Sequence, residues 1–225
     1  MRSPTVVMNT LRSNAAKPDY KYERLYRNLF NQEFFLMAYN NIYAKPGNMT
    51  KGTDGKTIDG MSLERITNII HSLRNETYQP QPARRIYILK KNGKQRPLGI
   101  QSVDDKLVQE VVRMILESIW DKTFLNCSHG FRPKRSCHTA LDSIQKTFVG
   151  VKWFIEGDIS KFFDTIDHHI LISQIRNRIR DERFISLICK FLKAGYLENW
   201  QFHITYTGTP QGGLCKASHK PPYAK

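Results

Sequence analysis

The sequence predicts an α+β fold. Two observations carry that expectation. Several stretches repeat apolar residues at the helical spacing of three and four, and other, separated stretches have the composition or the alternation of strands. The two kinds do not alternate one for one, as a doubly wound α/β sheet would require.

Residues 1–20 carry no clear period and read as a disordered lead; Arg2, Arg12 and Lys17 stand among the first 18, which hold no acid. From Tyr22 to Tyr43, Leu25, Leu29, Phe30, Phe34 and Met37 recur at helical spacing. Residues 45–60 form a loop rich in Gly, Asn, Thr and Asp. Ser62 is placed to cap a helix whose apolar stripe is Leu63, Ile66, Ile69, Ile70 and Leu73. Tyr78-Gln-Pro-Gln-Pro82 ends it.

Residues 83–100 predict two strands, Arg85–Leu89 leading to a hairpin turn at Lys91-Asn-Gly-Lys94. Ser102 with Asp105 resembles a capping box. Behind it Leu107, Val108, Val111, Val112, Ile115, Leu116 and Ile119 form one continuous stripe. A helix is expected over 137–148, and Trp153–Ile159 alternates like a buried strand. Helices follow at about 167–180 and 183–194, with Gly195 as a stop. Trp200, Phe202, Ile204 and Tyr206 alternate with polar residues as in a strand, and Gly208–Gly213 is a tight loop.

The chain has 225 residues, 40% of them hydrophobic, enough for a core. Lys and Arg total 35 against 20 acids, a formal charge of +15. Such an excess favours a polyanionic partner, nucleic acid first, although a generic basic surface has the same composition. The cysteines at 127, 137, 189 and 215 lack zinc-ligand spacing and read as reduced thiols, so neither zinc nor secretion is expected. No apolar run approaches the roughly 20 residues of a membrane span.

Four segments are candidates for chemistry. On a strand 153–159, Glu156 and Asp158 would share one face. A carboxylate at the strand end suits Mg²⁺, which takes hard oxygen ligands, though an ordinary surface Asp is the plainer reading. Asp164 and Asp167 read as turn and N-cap residues. Between 84 and 96 stand Arg84, Arg85, Lys90, Lys91, Lys94 and Arg96 with no acid, a strip suited to phosphates or to a protected hairpin edge. In Gly208-Thr-Pro-Gln-Gly-Gly213 the glycines permit close approach and Gln211 offers both donor and acceptor, a weak signal alone. Residues 128–138 gather Arg132, Lys134 and Arg135 around Gly and Pro, with His129 and His138 as ordinary loop histidines.

Taken in order, these segments resemble group II intron-encoded reverse transcriptases, the maturases. Lys51–Ile58 looks like the family's loop before the fingers, Arg84–Ile100 its first block, His129–Leu141 its second, Phe154–Asp164 its third and Gly208–Gly213 its fourth. The resemblance implies a right-hand polymerase fold with fingers and palm. Its parts would be an N-terminal helical extension and start of the fingers (21–82), fingers (83–150) and a partial palm (151–213). It implies RNA-directed DNA polymerisation by two Mg²⁺ ions, with Asp158 and the Ile159 carbonyl as ligands and Asp158 catalytic. Lys90, Arg96, Phe163 and Gln211 would contact the incoming nucleotide, Phe163 as the gate against a 2′-hydroxyl. Arg84, Arg85, Lys91, Lys94, Arg132, Lys134 and Arg135 would contact RNA. The implied partners are intron or template RNA and a DNA primer, in a bacterial cytoplasm or organellar matrix.

Two departures stand out. Leu89 replaces the family's usual Pro. After Gly213 the family continues into an apolar helix and a Tyr-x-Asp-Asp strand, whereas residues 214–225 are polar and the chain holds no such motif. The expectation is therefore a truncated or frameshifted polypeptide with an aberrant tail, inactive alone unless a second polypeptide completes the palm. The alternatives are an RNA-binding module that assists splicing without polymerase chemistry, and a misfolding gene fragment with an unpaired strand edge at 153–159.

Overall fold

The computed structural model describes residues 1–89, 93, 95–159 and 162–208, apart from the Asp164 side chain. The expected contacts of Lys90, Lys91, Lys94 and Gln211, and the tail at 214–225, lie outside the described residues.

Helix α4 (Val103–Trp120) is the spine of the molecule. Its stripe from Leu107 to Ile119 is almost wholly buried, as its continuous period predicts. Against it lie α1 (Pro4–Ala15) and α2 (Gln32–Tyr43), with α3 (Leu63–Arg74) beside α2. The apolar cluster extends to α7 (His168–Arg176) and α8 (Glu182–Lys193), so one core runs from Leu11 to Leu192. It crosses the expected boundaries at 82/83 and 150/151.

The expected cap residues hold the helix starts. Ser62 Oγ accepts from the Arg65 amide, and Ser102 Oγ from that of Asp105. Asp167 accepts from His169 and Ile170, which lowers its pKa, the Ile170 bond first. Asp181 caps α8 through Phe184 N–H and also accepts from Tyr26 N–H, fastening two distant segments.

A four-stranded sheet has the order β2-β1-β3-β4. The expected hairpin is β1 (Ala83–Leu89) with β2 (Gln95–Ile100), antiparallel, Arg84 opposite Ile100 and Leu89 opposite Gln95. Short β3 (Tyr196–Glu198) runs parallel to β1 and antiparallel to β4 (Gln201–His203). Gly195 ends α8 at φ +71°; a Cβ there would meet the His203 carbonyl oxygen at 2.5 Å, so only glycine lets β4 close on this corner.

Four expectations need correction. The lead is not disordered: α1 buries Leu11 and Ala15, Tyr22 Oη donates to the Leu11 carbonyl, and Arg178 Nη2 donates to the Ala15 and Lys17 carbonyls. Tertiary contacts supply what the weak local period did not announce. The segment after Tyr22 becomes helical only at Tyr26–Phe30, a 3-10 turn, and then from Gln32, because Tyr22 bridges to Ile179 in extended form. The alternation at 200–206 yields only three strand residues. Asn199 and Trp200 instead form the left-handed turn between β3 and β4, with Trp200 98% exposed. Last, 151–159 is not a strand: it has no regular structure, and Trp153 and Ile155 are 89% and 99% exposed. A strand needs a ladder partner for its N–H and C=O groups, and none of the described residues provides one.

Candidate nucleic-acid interface and active-site segment

The basic hairpin divides its cations between two faces, because successive strand residues point to opposite sides. On one face the Arg85 guanidinium lies 3.3 Å from the centre of the Tyr196 ring, which stacks on His203 at 4.9 Å. Glu198 closes this face, 4.0 Å from Arg85 and 2.5 Å from the Tyr87 hydroxyl. That hydrogen bond raises the Tyr87 pKa, since losing the proton would oppose two anions. Arg85 is thus held by a ring and a carboxylate across the β1–β3 seam.

On the other face Arg84, Ile86 and Ile88 stand opposite Ile100, Leu98 and Arg96. Arg84 donates from Nε and Nη2 to the Lys51 carbonyl at 3.1 and 2.8 Å. This joins the hairpin root to the loop before it. The same loop is gripped by Thr53 Oγ1 donating to the Pro82 carbonyl and by Lys106 Nζ donating to the Thr50 carbonyl. Burial lowers the Lys106 pKa. A Cβ on Gly52 would lie 2.6 Å from the Gln101 carbonyl oxygen and 2.7 Å from Ser102 backbone atoms. The Lys51–Ile58 loop therefore sits directly on the start of α4.

Beneath the hairpin lies a closed polar knot. Asp105 accepts from Tyr78 Oη (2.7 Å), Gln81 N–H (2.9 Å) and Ser102 Oγ (2.6 Å). Burial raises the Asp105 pKa despite these donors, and it pushes Tyr78 well up.

The 128–136 loop is braced from within. Arg132 donates Nε to Asp121 Oδ1, Nη1 to the Leu125 and Ser128 carbonyls, and Nη2 to the Asp121 carbonyl, at 2.9–3.0 Å. Arg132, expected at RNA, is held here by the Asp121 carboxylate and by the Asp121, Leu125 and Ser128 carbonyls. Arg135 donates Nη1 to the Asn126 carbonyl, and Lys134 stays exposed. Ser136 and Thr139 form a reciprocal capping box for α5 (Cys137–Thr147), and His129 Nδ1 lies 2.9 Å from Thr139 Oγ1.

Asp158 and Ile159 lie exposed on the irregular segment. Among the described residues no group of three or more His, Cys, Asp or Glu side chains converges on a metal position. A lone exposed carboxylate does not fit a two-ion site, which needs converging oxygens. Phe163 is half-buried in the short α6 (Phe162–Thr165), edge-on to Phe162 at 5.3 Å. The route into the glycine loop is anchored just beyond it. Gly208 N–H donates to the Ile166 carbonyl, His168 Nε2 donates to the Gly208 carbonyl, and Asp167 bridges Thr207. Gly208, the first residue of the fourth block, is therefore tied to the start of α7, just after the third block.

Sequence reasoning missed Tyr196, Glu198 and His203 as partners of the basic hairpin. Only the parallel β1–β3 pairing reveals them, and its residues are more than a hundred positions apart.

Residues 88–216 match the family described as reverse transcriptase (RNA-dependent DNA polymerase). The chain is 52% identical to the group II intron-encoded protein LtrA of Lactococcus lactis subsp. cremoris over 95% of its own length and 36% of that protein's. It is 50% identical to an uncharacterized 91 kDa protein in the cob intron of Schizosaccharomyces pombe, over 83% of this chain and 23% of that one. It is 43% identical to a putative COX1/OXI3 intron 1 protein of Saccharomyces cerevisiae, over 82% and 22%. The chain thus spans little more than a third of the longest-matched of these relatives.

Proposed function

We propose, for a chain that belongs to the reverse transcriptase (RNA-dependent DNA polymerase) family and matches its group II intron-encoded members, that it forms the RNA-gripping fingers and a partial palm of such an enzyme. The polymerisation itself, from an RNA template and a DNA primer, is the work of an enzyme with a completed palm. The 225 residues alone bind RNA without extending a primer, as a maturase-type RNA-binding module does. The fingers at 83–150 and partial palm at 151–213 remain our division. The working compartment on this reading is a bacterial cytoplasm or an organellar matrix.

One observation supports the reading above the rest: the β1–β2 hairpin is paired from Arg84 to Leu89 and its root joins β3, while the Asp158 segment is exposed and pairs with no strand among the described residues. The family generally uses Mg²⁺, and Asp158 is the residue here that would contribute to its site, with the Ile159 carbonyl beside it. A second polypeptide bearing further carboxylates and strand partners for 151–159 would complete it.

Primer extension on an RNA template tests the claim. The purified chain should incorporate no more nucleotide than its Asp158→Ala variant; incorporation clearly above that control refutes it. Gel-shift binding to intron RNA should fall steeply with salt, as phosphate contacts require. Binding no tighter than to heparin refutes the RNA-gripping half of the proposal.

A further inference from the structure

The 128–136 loop holds two non-glycine residues in the left-handed region, Phe131 at φ +56° and Lys134 at φ +59°. A bulky aromatic there is an outlier, because its Cβ crowds the backbone. Such a conformation persists only where the surroundings over-determine it, and it concentrates at ligand clamps. Here the surroundings are visible: four hydrogen bonds from Arg132, the contact of His129 with Thr139, and the Ser136 capping box.

All this bracing does not bury the ring: Phe131 is 69% exposed. The charge around it has one sign. From Lys122 to Leu141 the sequence carries Lys122, Arg132, Lys134 and Arg135 and no acid. The flanking Asp121 is paired with Arg132, and Asp142 with Lys146. A rigidly presented aromatic among cations suits a base with phosphates on either side. Base–aromatic stacking is tolerant of sequence and needs the base unpaired.

We propose that Phe131 is a stacking post for an unpaired nucleotide of single-stranded RNA, with Lys134 and Arg135 drawing in the adjoining phosphates. This rests on the RNA-binding reading above and adds a residue, a ligand conformation and a mode of contact.

The test uses the whole chain, a short oligouridine and an RNA duplex of equal charge. Phe131→Gly removes the ring and relieves the left-handed strain, so the fold should be as stable as before. It should weaken oligouridine binding by about five- to 150-fold, the range for loss of one stacked base. Duplex affinity and the salt slope should stay unchanged, while Phe131→Trp should bind oligouridine like the parent. Equal oligouridine affinity of Phe131→Gly and parent overturns the proposal, as does equal loss for single strand and duplex. Intact RNA binding with a shift from dimer to monomer also overturns it, assigning the ring to a protein contact. Failure of the parent chain itself to bind either RNA refutes the underlying reading as well.

Discussion

Replacing Asp105 with Ala removes the acceptor for three donors at once. Ser102 keeps its bond from the residue-105 amide, so its loss is partial. Tyr78 Oη and the Gln81 amide lose their acceptor on α4, the first in a buried position. An unsatisfied buried donor costs about 1–3 kcal/mol, which applies to Tyr78; the exposed Gln81 residue can turn its amide to water, so the total is about 1–3 kcal/mol. Against a total stability of about 5–15 kcal/mol, that is a large share. For a chain of this length each kcal/mol moves the melting point by about 2–4 °C, so the thermal midpoint followed by circular dichroism should fall by at least about 2 °C. Asp105→Asn keeps one acceptor and removes a buried charge, so its loss should be less than half as large. The pH dependence has a definite sign. The folded pKa of Asp105 is raised by burial, so its contribution is fully present below the unfolded value near 3.8 and is lost as pH rises through the folded value. The stability gap between the parent chain and Asp105→Asn should therefore move in the parent's favour as pH is lowered from neutral toward 4. An Asp105→Ala melting point within about 1 °C of the parent would refute the accounting.

Gly52→Ala should destabilise the chain by about 1–3 kcal/mol, the usual cost of overpacking, because the new methyl meets backbone rather than a side chain that can swing away; urea unfolding measures it. Arg132→Ala should lower the melting point while leaving the salt slope of RNA binding unchanged. Lys134→Ala should do the reverse, reducing the slope by about one unit at constant stability. Leu141→Ser on α5, whose side chain is exposed, should change stability by no more than about 0.5 kcal/mol and raise the concentration at which the chain aggregates.

The legible part of the fold was that governed by local rules. The α4 stripe, the β1–β2 hairpin, the caps at Ser62, Ser102 and Asp167, and the Gly195 stop each depend on residues within a few positions of one another. What escaped depends on distant partners. Helix α1 is secured by Arg178, and the 153–159 alternation yields no strand without a ladder neighbour. The candidate site divides in the same way. Cations in the 84–96 strip were legible as charges, but Arg84 and Arg85 turn out to be held by Lys51 and by Tyr196 and Glu198, which no spacing announces. Arg132 was legible as a cation, but an arginine beside glycine and proline gives no sign of the carbonyls it binds.

The bond from Arg178 to the Ala15 carbonyl joins residues 163 positions apart, and the Tyr22–Ile179 bridge lies beside it. A ribosome adding roughly 5–20 residues each second must therefore work for many seconds before the first helix meets the side chain that clasps it. Throughout that interval the hairpin and α4 are free to form and α1 can settle against α4, while the clasp on its last turn waits. The helix made first is thus among the last to have its end fastened.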